Sequence, residues 1–356
     1  MSKALASAAI ASALLISLTG CSGGSTATPG SPDATTPAIK YVTAPLTGVQ
    51  YAEGSAEATG LVSPSVACKI DNSEAARPQQ GLNSTDVVFD EMVEGGLTRL
   101  VAIWHSNKPT AIGPVRSIRP MDPDIISPFG GIVCYSGGQL KFVKMMQATN
   151  VFNANETEEQ GKGTFSRASD REAPHNVIVN VNKLQQAHLD LAPPQAMFTF
   201  SPDALNATAA LTGTPVELVR IDYPSARAEW QPTADGARWQ RIQDGQPHTD
   251  IVDGKPITAK NVVVLQVRID RKYGYVPKTV MVDSGKAWVF TGGKYIEATW
   301  SKASQTAPIV LTTADGAIVE LARGNTWVEL MPVAPEGAIK ITEGPKPTPS
   351  QTPSEN

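Results

Sequence analysis

Apolar residues are distributed very unevenly along this chain. A first run, residues 4–18, follows Lys3 and ends in Leu18-Thr19-Gly20-Cys21. It is shorter than the ~20 residues a membrane-spanning helix needs. From residue 22 to about 45, Ser, Thr, Pro, Gly and Ala dominate, and such a stretch cannot bury enough surface to offset the entropy of ordering it. Short apolar runs bounded by turn residues at 65–70 and 131–135 predict buried strands. Residues 138–148 carry Leu140, Val143, Met145 and Met146 and predict a short helix. A second helix is expected at 182–191, stopped by Pro193-Pro194, with a long polar surface loop at 153–172 before it.

Beyond residue 216 the pattern becomes a series of short β-type segments: 216–223, 239–242, 261–269, 279–282, 287–290, 309–312, 318–321 and 326–330. Asp235-Gly236, Asp244-Gly245, Asp253-Gly254, Gly292-Gly293 and Asp315-Gly316 supply the turns between them. The expected architecture is an α+β or α/β domain with a mixed sheet over 46–200, followed by a mainly β domain over 215–335. Residues 1–20 read as a signal peptide, 21–45 as a disordered tether and 343–356 as a disordered tail.

The length of 356 residues fits two domains, each able to bury a core. A net charge of -4 argues against a nucleic-acid partner, which would favour a basic surplus. Thr19-Gly20-Cys21 resembles the bacterial lipobox. That implies cleavage after Gly20, lipidation of Cys21 with fatty chains such as palmitate, and anchoring on the extracytoplasmic face of the cell membrane; an uncleaved anchor is the alternative. Cys68 and Cys134 are then left as a disulfide, which an exported protein can keep, or as two separately buried thiols.

The most informative stretch is 87–104. Two β-rich runs flank Gly95-Gly96, which predicts a hairpin with a two-residue loop. That register pairs Glu94 with Leu97, Met92 with Arg99 and Asp90 with Val101. It gathers Asp90, Glu94 and Arg99 on one face and leaves Glu91 among Val87, Phe89, Val93 and Leu100 on the other. A carboxyl in apolar surroundings has a raised pKa, as a general acid requires; otherwise Glu91 is held by an arginine from elsewhere. Asp71, Asn72, Arg77, Arg116, Arg119, His175 and Asn176 lie in neighbouring polar motifs. With Arg99 they compose either an anion pocket, since guanidinium groups grip phosphate or carboxylate bidentately, or a set of structural Arg–carboxylate pairs. The four histidines and three cysteines show no metal-ligand spacing, and no cofactor motif is complete, so neither a metal nor a cofactor is expected.

Ile70-Asp71-Asn72, Ala76-Arg77-Pro78-Gln79-Gln80-Gly81-Leu82, Val93-Glu94-Gly95-Gly96-Leu97-Thr98-Arg99, Gly113-Pro114-Val115-Arg116-Ser117-Ile118-Arg119-Pro120 and Ala173-Pro174-His175-Asn176 resemble the signature set of the YerB-like lipoproteins, the DUF3048 family. Pro247-His248-Thr249-Asp250 and Gly324-Asn325-Thr326-Trp327 extend the resemblance over most of 65–332. It implies a two-part exported lipoprotein of the bacterial envelope. Cys68 and Cys134 stand where that family pattern leads one to expect aliphatic residues, which favours a local disulfide. Three functions are open at this level. The chain binds an anionic wall component or a peptidoglycan-assembly partner; it is an envelope glycan hydrolase or transferase using Glu91, Glu94 and Asp71; or it is purely structural.

Overall fold

The structure, a computed structural model, describes residues 39–345. The expected signal peptide, the expected lipidation site at Cys21, most of the expected tether and residues 346–356 of the expected tail lie outside the described residues. The chain is mostly β, built on a large mixed sheet. That sheet contains β1 (Val66–Asp71), β2 (Val87–Met92), β3 (Thr98–Trp104), β4 (Ile132–Tyr135), β5 (Phe152–Asn155), β6 (Thr214–Tyr223), β7 (Ala226–Pro232), β8 (Trp239–Gln243), β9 (Asn261–Val267), β10 (Ser284–Thr291), β11 (Lys294–Ser301), β12 (Thr326–Pro332) and β13 (Ala338–Glu343). Their order is β8-β7-β6-β11-β10-β9-β12-β2-β3-β1-β4-β5, with β13 added on β6.

The sheet runs without interruption through both halves of the sequence. Strand β12 pairs in parallel with β9 on one side and with β2 on the other. Every residue of β1, β2, β4 and β12 is buried, because layers cover both faces, and this is why these strands are largely apolar without strict alternation, Lys69, Asp71, Asp90, Glu91 and Glu329 being the charged exceptions. In β8, buried and half-buried residues alternate, the pattern of a strand with one face on the core. On one face of the central strands, Val88, Leu100, Trp104, Val264 and Trp327 meet Val219, Trp230 and Trp239 from β6–β8. On the other, Phe89, Val101, Ile103 and Val263 meet Ile125, Phe129, Phe142 and Met146.

Helices in the first half are short: Ala56–Gly60, Asp122–Ile126, Leu140–Gln147 and Val181–Gln186. The last of these ends well before the expected 191. No helix among the described residues is long and apolar enough to cross a membrane. The stretch 153–172, expected as a loop, contains most of β5 and a strand, Phe165–Arg167, paired with Val177–Val179. Order also begins earlier than residue 46. Tyr41–Thr43 pairs with Gln50–Ala52, and the burial of Ala44 and Leu46 anchors this hairpin. Strand β13 likewise reaches Glu343, the first residue of the expected tail. Cys68 and Cys134 face each other on the parallel strands β1 and β4 and form a disulfide.

Candidate functional site

The turn between β2 and β3 decides which side chains meet. Gly95 and Gly96 both take positive φ, 71° and 72°, as a tight bend requires. Glu94 leaves the ladder with them, however, so the loop has three residues, closed by Val93 N–H donating to Leu97 O at 2.8 Å. The pairing is therefore Met92 with Thr98, Glu91 with Arg99 and Asp90 with Leu100. This corrects the two-residue register. A slip of one residue turns a strand's side chains to the opposite face, so Arg99 shares its face with Glu91, and Asp90 points into the other core layer. Asp90, Glu94 and Arg99 do not form one group.

Asp71, Glu94, Arg99, Arg116, Arg119 and His175 come together around a cleft of about 580 Å³. Ser73, Tyr273 and Tyr275 join its wall. One oxygen of Asp71 at the end of β1 sits 2.7 Å from His175 Nδ1 and 3.0 Å from Arg116 Nε. Its other oxygen accepts the Ser73 backbone N–H at 3.0 Å. Burial would raise the Asp71 pKa, but the Ser73 N–H, Arg116 and His175 outweigh it and hold the carboxyl below its ordinary range. Glu94 accepts from Arg119 Nε at 2.8 Å, and that bond likewise overcomes partial burial and lowers its pKa.

Arg99 differs from its neighbours. It is half-buried and donates from Nη1 to Ser117 O at 3.1 Å, and among the described residues it forms no ion pair with a carboxylate. Desolvation, followed by repulsion from Arg119 and Arg116, pushes its pKa down to about 10. Three guanidinium groups thus crowd two carboxylates, leaving a positive excess at the cleft wall.

The remaining candidates lie elsewhere. Asn72 and Arg77 line an adjoining cleft of about 810 Å³; Asn72 Nδ2 donates to Thr98 Oγ1 at 2.8 Å and Arg77 pairs with Asp244 at 2.8 Å. Asn176 accepts from Arg167 at 2.8 Å, outside both clefts. Asp90 is buried against Arg241 Nη2 at 2.5 Å. Glu329 stands 3.6 Å from the same guanidinium and accepts from Tyr223 OH at 3.0 Å and Trp230 Nε1 at 2.9 Å. Arg241 also stacks 4.9 Å from the Trp327 ring centre and contacts His248 Nδ1 at 2.8 Å. Burial, then the Glu329 charge, pushes the Asp90 pKa well up. Burial and the guanidinium beside it push His248 well down.

Glu91 is fully buried and its partner is Lys69, with Asp122 on the lysine's other side. This corrects both expectations for it: a carboxyl without exposed surface cannot protonate a substrate in the cleft, and the cation beside it is not an arginine. Lys69, Asp122, Arg241 and Glu329 escaped the sequence reading. The signal for Lys69 was present, the one charge inside the apolar run 65–70.

Sequence comparison places two matches on the chain. The profile described as "Protein of unknown function (DUF3048) N-terminal domain" matches residues 46–192, and that of the DUF3048 C-terminal domain matches 219–328. The chain is 26% identical over 325 residues to "Putative lipoprotein YerB" of Bacillus subtilis, covering 88% of this chain and 93% of that protein. The crystal structure of Bacillus subtilis YerB superposes with a TM-score of 0.72 at 24% identity, over 84% of this chain and 99% of that one, and so shares the fold.

Proposed function

This chain belongs to the DUF3048 family, and from that premise we propose that it is an exported envelope lipoprotein whose arginine-lined cleft binds an anionic component of the cell wall. Lipid on Cys21 would hold it at the outer face of the membrane. The lipobox-like Leu18-Thr19-Gly20-Cys21 supports this anchoring, as does the printed name of the Bacillus subtilis relative. Labelled palmitate should enter the wild-type chain and not Cys21→Ala.

The observation that carries the binding reading is the Arg99 guanidinium, flanked by Arg116 and Arg119 and lacking a carboxylate of its own among the described residues. An incoming phosphate or carboxylate would relieve the repulsion among the three and accept charge-assisted hydrogen bonds from them. Tyr275 on the same wall is 74% exposed and offers a flat apolar face for a sugar ring. The chemistry favoured is thus a charged glycan polymer. A hydrolase would need one carboxyl kept protonated at the cleft, whereas Asp71 and Glu94 are both held ionised. Cosedimentation of the full-length protein in detergent with wall polymer, before and after removal of the polymer's anionic groups, tests the proposal: retention should require those groups.

A further inference from the structure

Lys69, Glu91 and Asp122 are all fully buried, and Lys69 touches both acids. Lys69 projects from β1 and Glu91 from β2, with β3 lying between these strands. Asp122 opens the short helix whose Ile125 and Ile126 pack on the same face of the sheet. The lysine Nζ abuts the Glu91 carboxyl and lies 2.8 Å from Asp122 Oδ1. The other Asp122 oxygen accepts the Arg119 backbone N–H at 2.5 Å. Both oxygens of Asp122 are therefore served, while neither oxygen of Glu91 has a hydrogen-bond partner.

An ion pair explains this arrangement poorly. A buried carboxylate is tolerated when donors satisfy its lone pairs as well as its charge, and Glu91 has none beside the Lys69 Nζ pressed against it. One ammonium against two carboxylates also leaves the triad itself with one negative charge in excess. An amide between Lys69 and Glu91 removes the first difficulty and confines the excess charge to Asp122, whose two oxygens both have donors. It carries no charge, its N–H points to Asp122, and its one carbonyl oxygen is far cheaper to bury than a carboxylate.

We propose that Lys69 Nζ and Glu91 Cδ are joined by an isopeptide bond formed within the folded core, with Asp122 carrying the proton. The neutral amine attacks the carbonyl carbon of the protonated Glu91. Asp122 takes a proton from the nitrogen and delivers it to the departing hydroxyl, so a C–N bond forms, a C–O bond breaks and one water leaves. No oxidant or reductant is required. Desolvation supports the first step, since it lowers the Lys69 pKa to about 8 despite the opposing Asp122 charge, and a buried amine of this kind is an activated nucleophile. The bond would clamp β1 to β2 across β3, while the disulfide clamps β1 to β4.

Peptide mapping decides the matter without any variant. The full-length protein is recovered from membranes, denatured, reduced, alkylated and digested with trypsin. Arg77 precedes proline and resists cleavage, so an unmodified chain yields peptides 41–69 and 70–99. With the isopeptide bond, cleavage after Lys69 fails, and one peptide, 41–99, appears lighter than its linear form by one water, about 18 Da. Full recovery of 41–69 and 70–99 overturns the proposal and leaves an ion pair. In Asp122→Asn the two separate peptides should reappear; persistence of the lighter 41–99 there would overturn the role given to Asp122.

Discussion

Asp71 and His175, 104 residues apart in sequence, meet through one carboxylate oxygen and one ring nitrogen at 2.7 Å. The same oxygen holds Arg116 at 3.0 Å. A single carboxylate thereby fixes the end of β1 to two separate loops and sets the spacing of the cleft wall.

Replacing that carboxylate tests its share of stability. Asp71→Asn should destabilise the protein by about 1–3 kcal/mol at pH 7, the cost of stripping charged partners from a buried acceptor. Because the folded pKa lies below the ordinary value of 3.8, the wild-type advantage is complete above that value and is lost as pH falls through the folded pKa. Urea unfolding at pH 7 and at pH 3 should therefore show a difference between the two proteins that narrows in acid.

A second pH dependence comes from His105, fully buried with Nε2 donating to Leu61 O at 3.2 Å and Ser63 O at 3.0 Å. Burial lowers its pKa from 6.5 to about 4. Between those values the unfolded chain binds a proton that the folded chain refuses, so stability falls as pH drops through the window, by about 3 kcal/mol in all. His248, also pushed down, adds in the same direction. Denaturation midpoints measured from pH 7 to pH 4 should decline, and His105→Gln should decline less steeply.

Arg241 holds two buried acids, Asp90 and Glu329, on the opposite core face. Arg241→Met would strand them, at a cost of about 3–5 kcal/mol. Thermal unfolding should show this loss, and adding Asp90→Asn should recover part of it. Equal stability of Arg241→Met and wild type would mean that the network contributes nothing net.

Much of the architecture was legible from apolar runs alone. The doubly covered strands β1, β4, β9 and β12 announced themselves because both their faces are buried. Strands β7, β11 and β13 did not, since their polar residues, such as Glu229, Glu297 and Lys340, mask the β pattern. The cleft was half legible. Arg99, Arg116, Arg119, Asp71, Glu94 and His175 were named from their motifs and do converge. Their grouping on the hairpin was misassigned because the glycine pair alone does not reveal that Glu94 also leaves the ladder. Asp90, read as part of the polar cluster, and Glu91, read as a carboxyl on an apolar face, lie in two separate core layers, and their partners Arg241 and Lys69 come from strands that no local pattern joins to β2.

The central claim is that Arg99, crowded by two other guanidinium groups, receives an anion from outside the chain. Its most direct test is a titration of full-length wild type, Arg99→Ala and Arg99→Lys with the same anionic wall polymer at fixed salt. Loss of one charge-assisted bond predicts binding weakened roughly 10- to 100-fold in Arg99→Ala, with Arg99→Lys between the two. Indistinguishable affinities for all three proteins would contradict it.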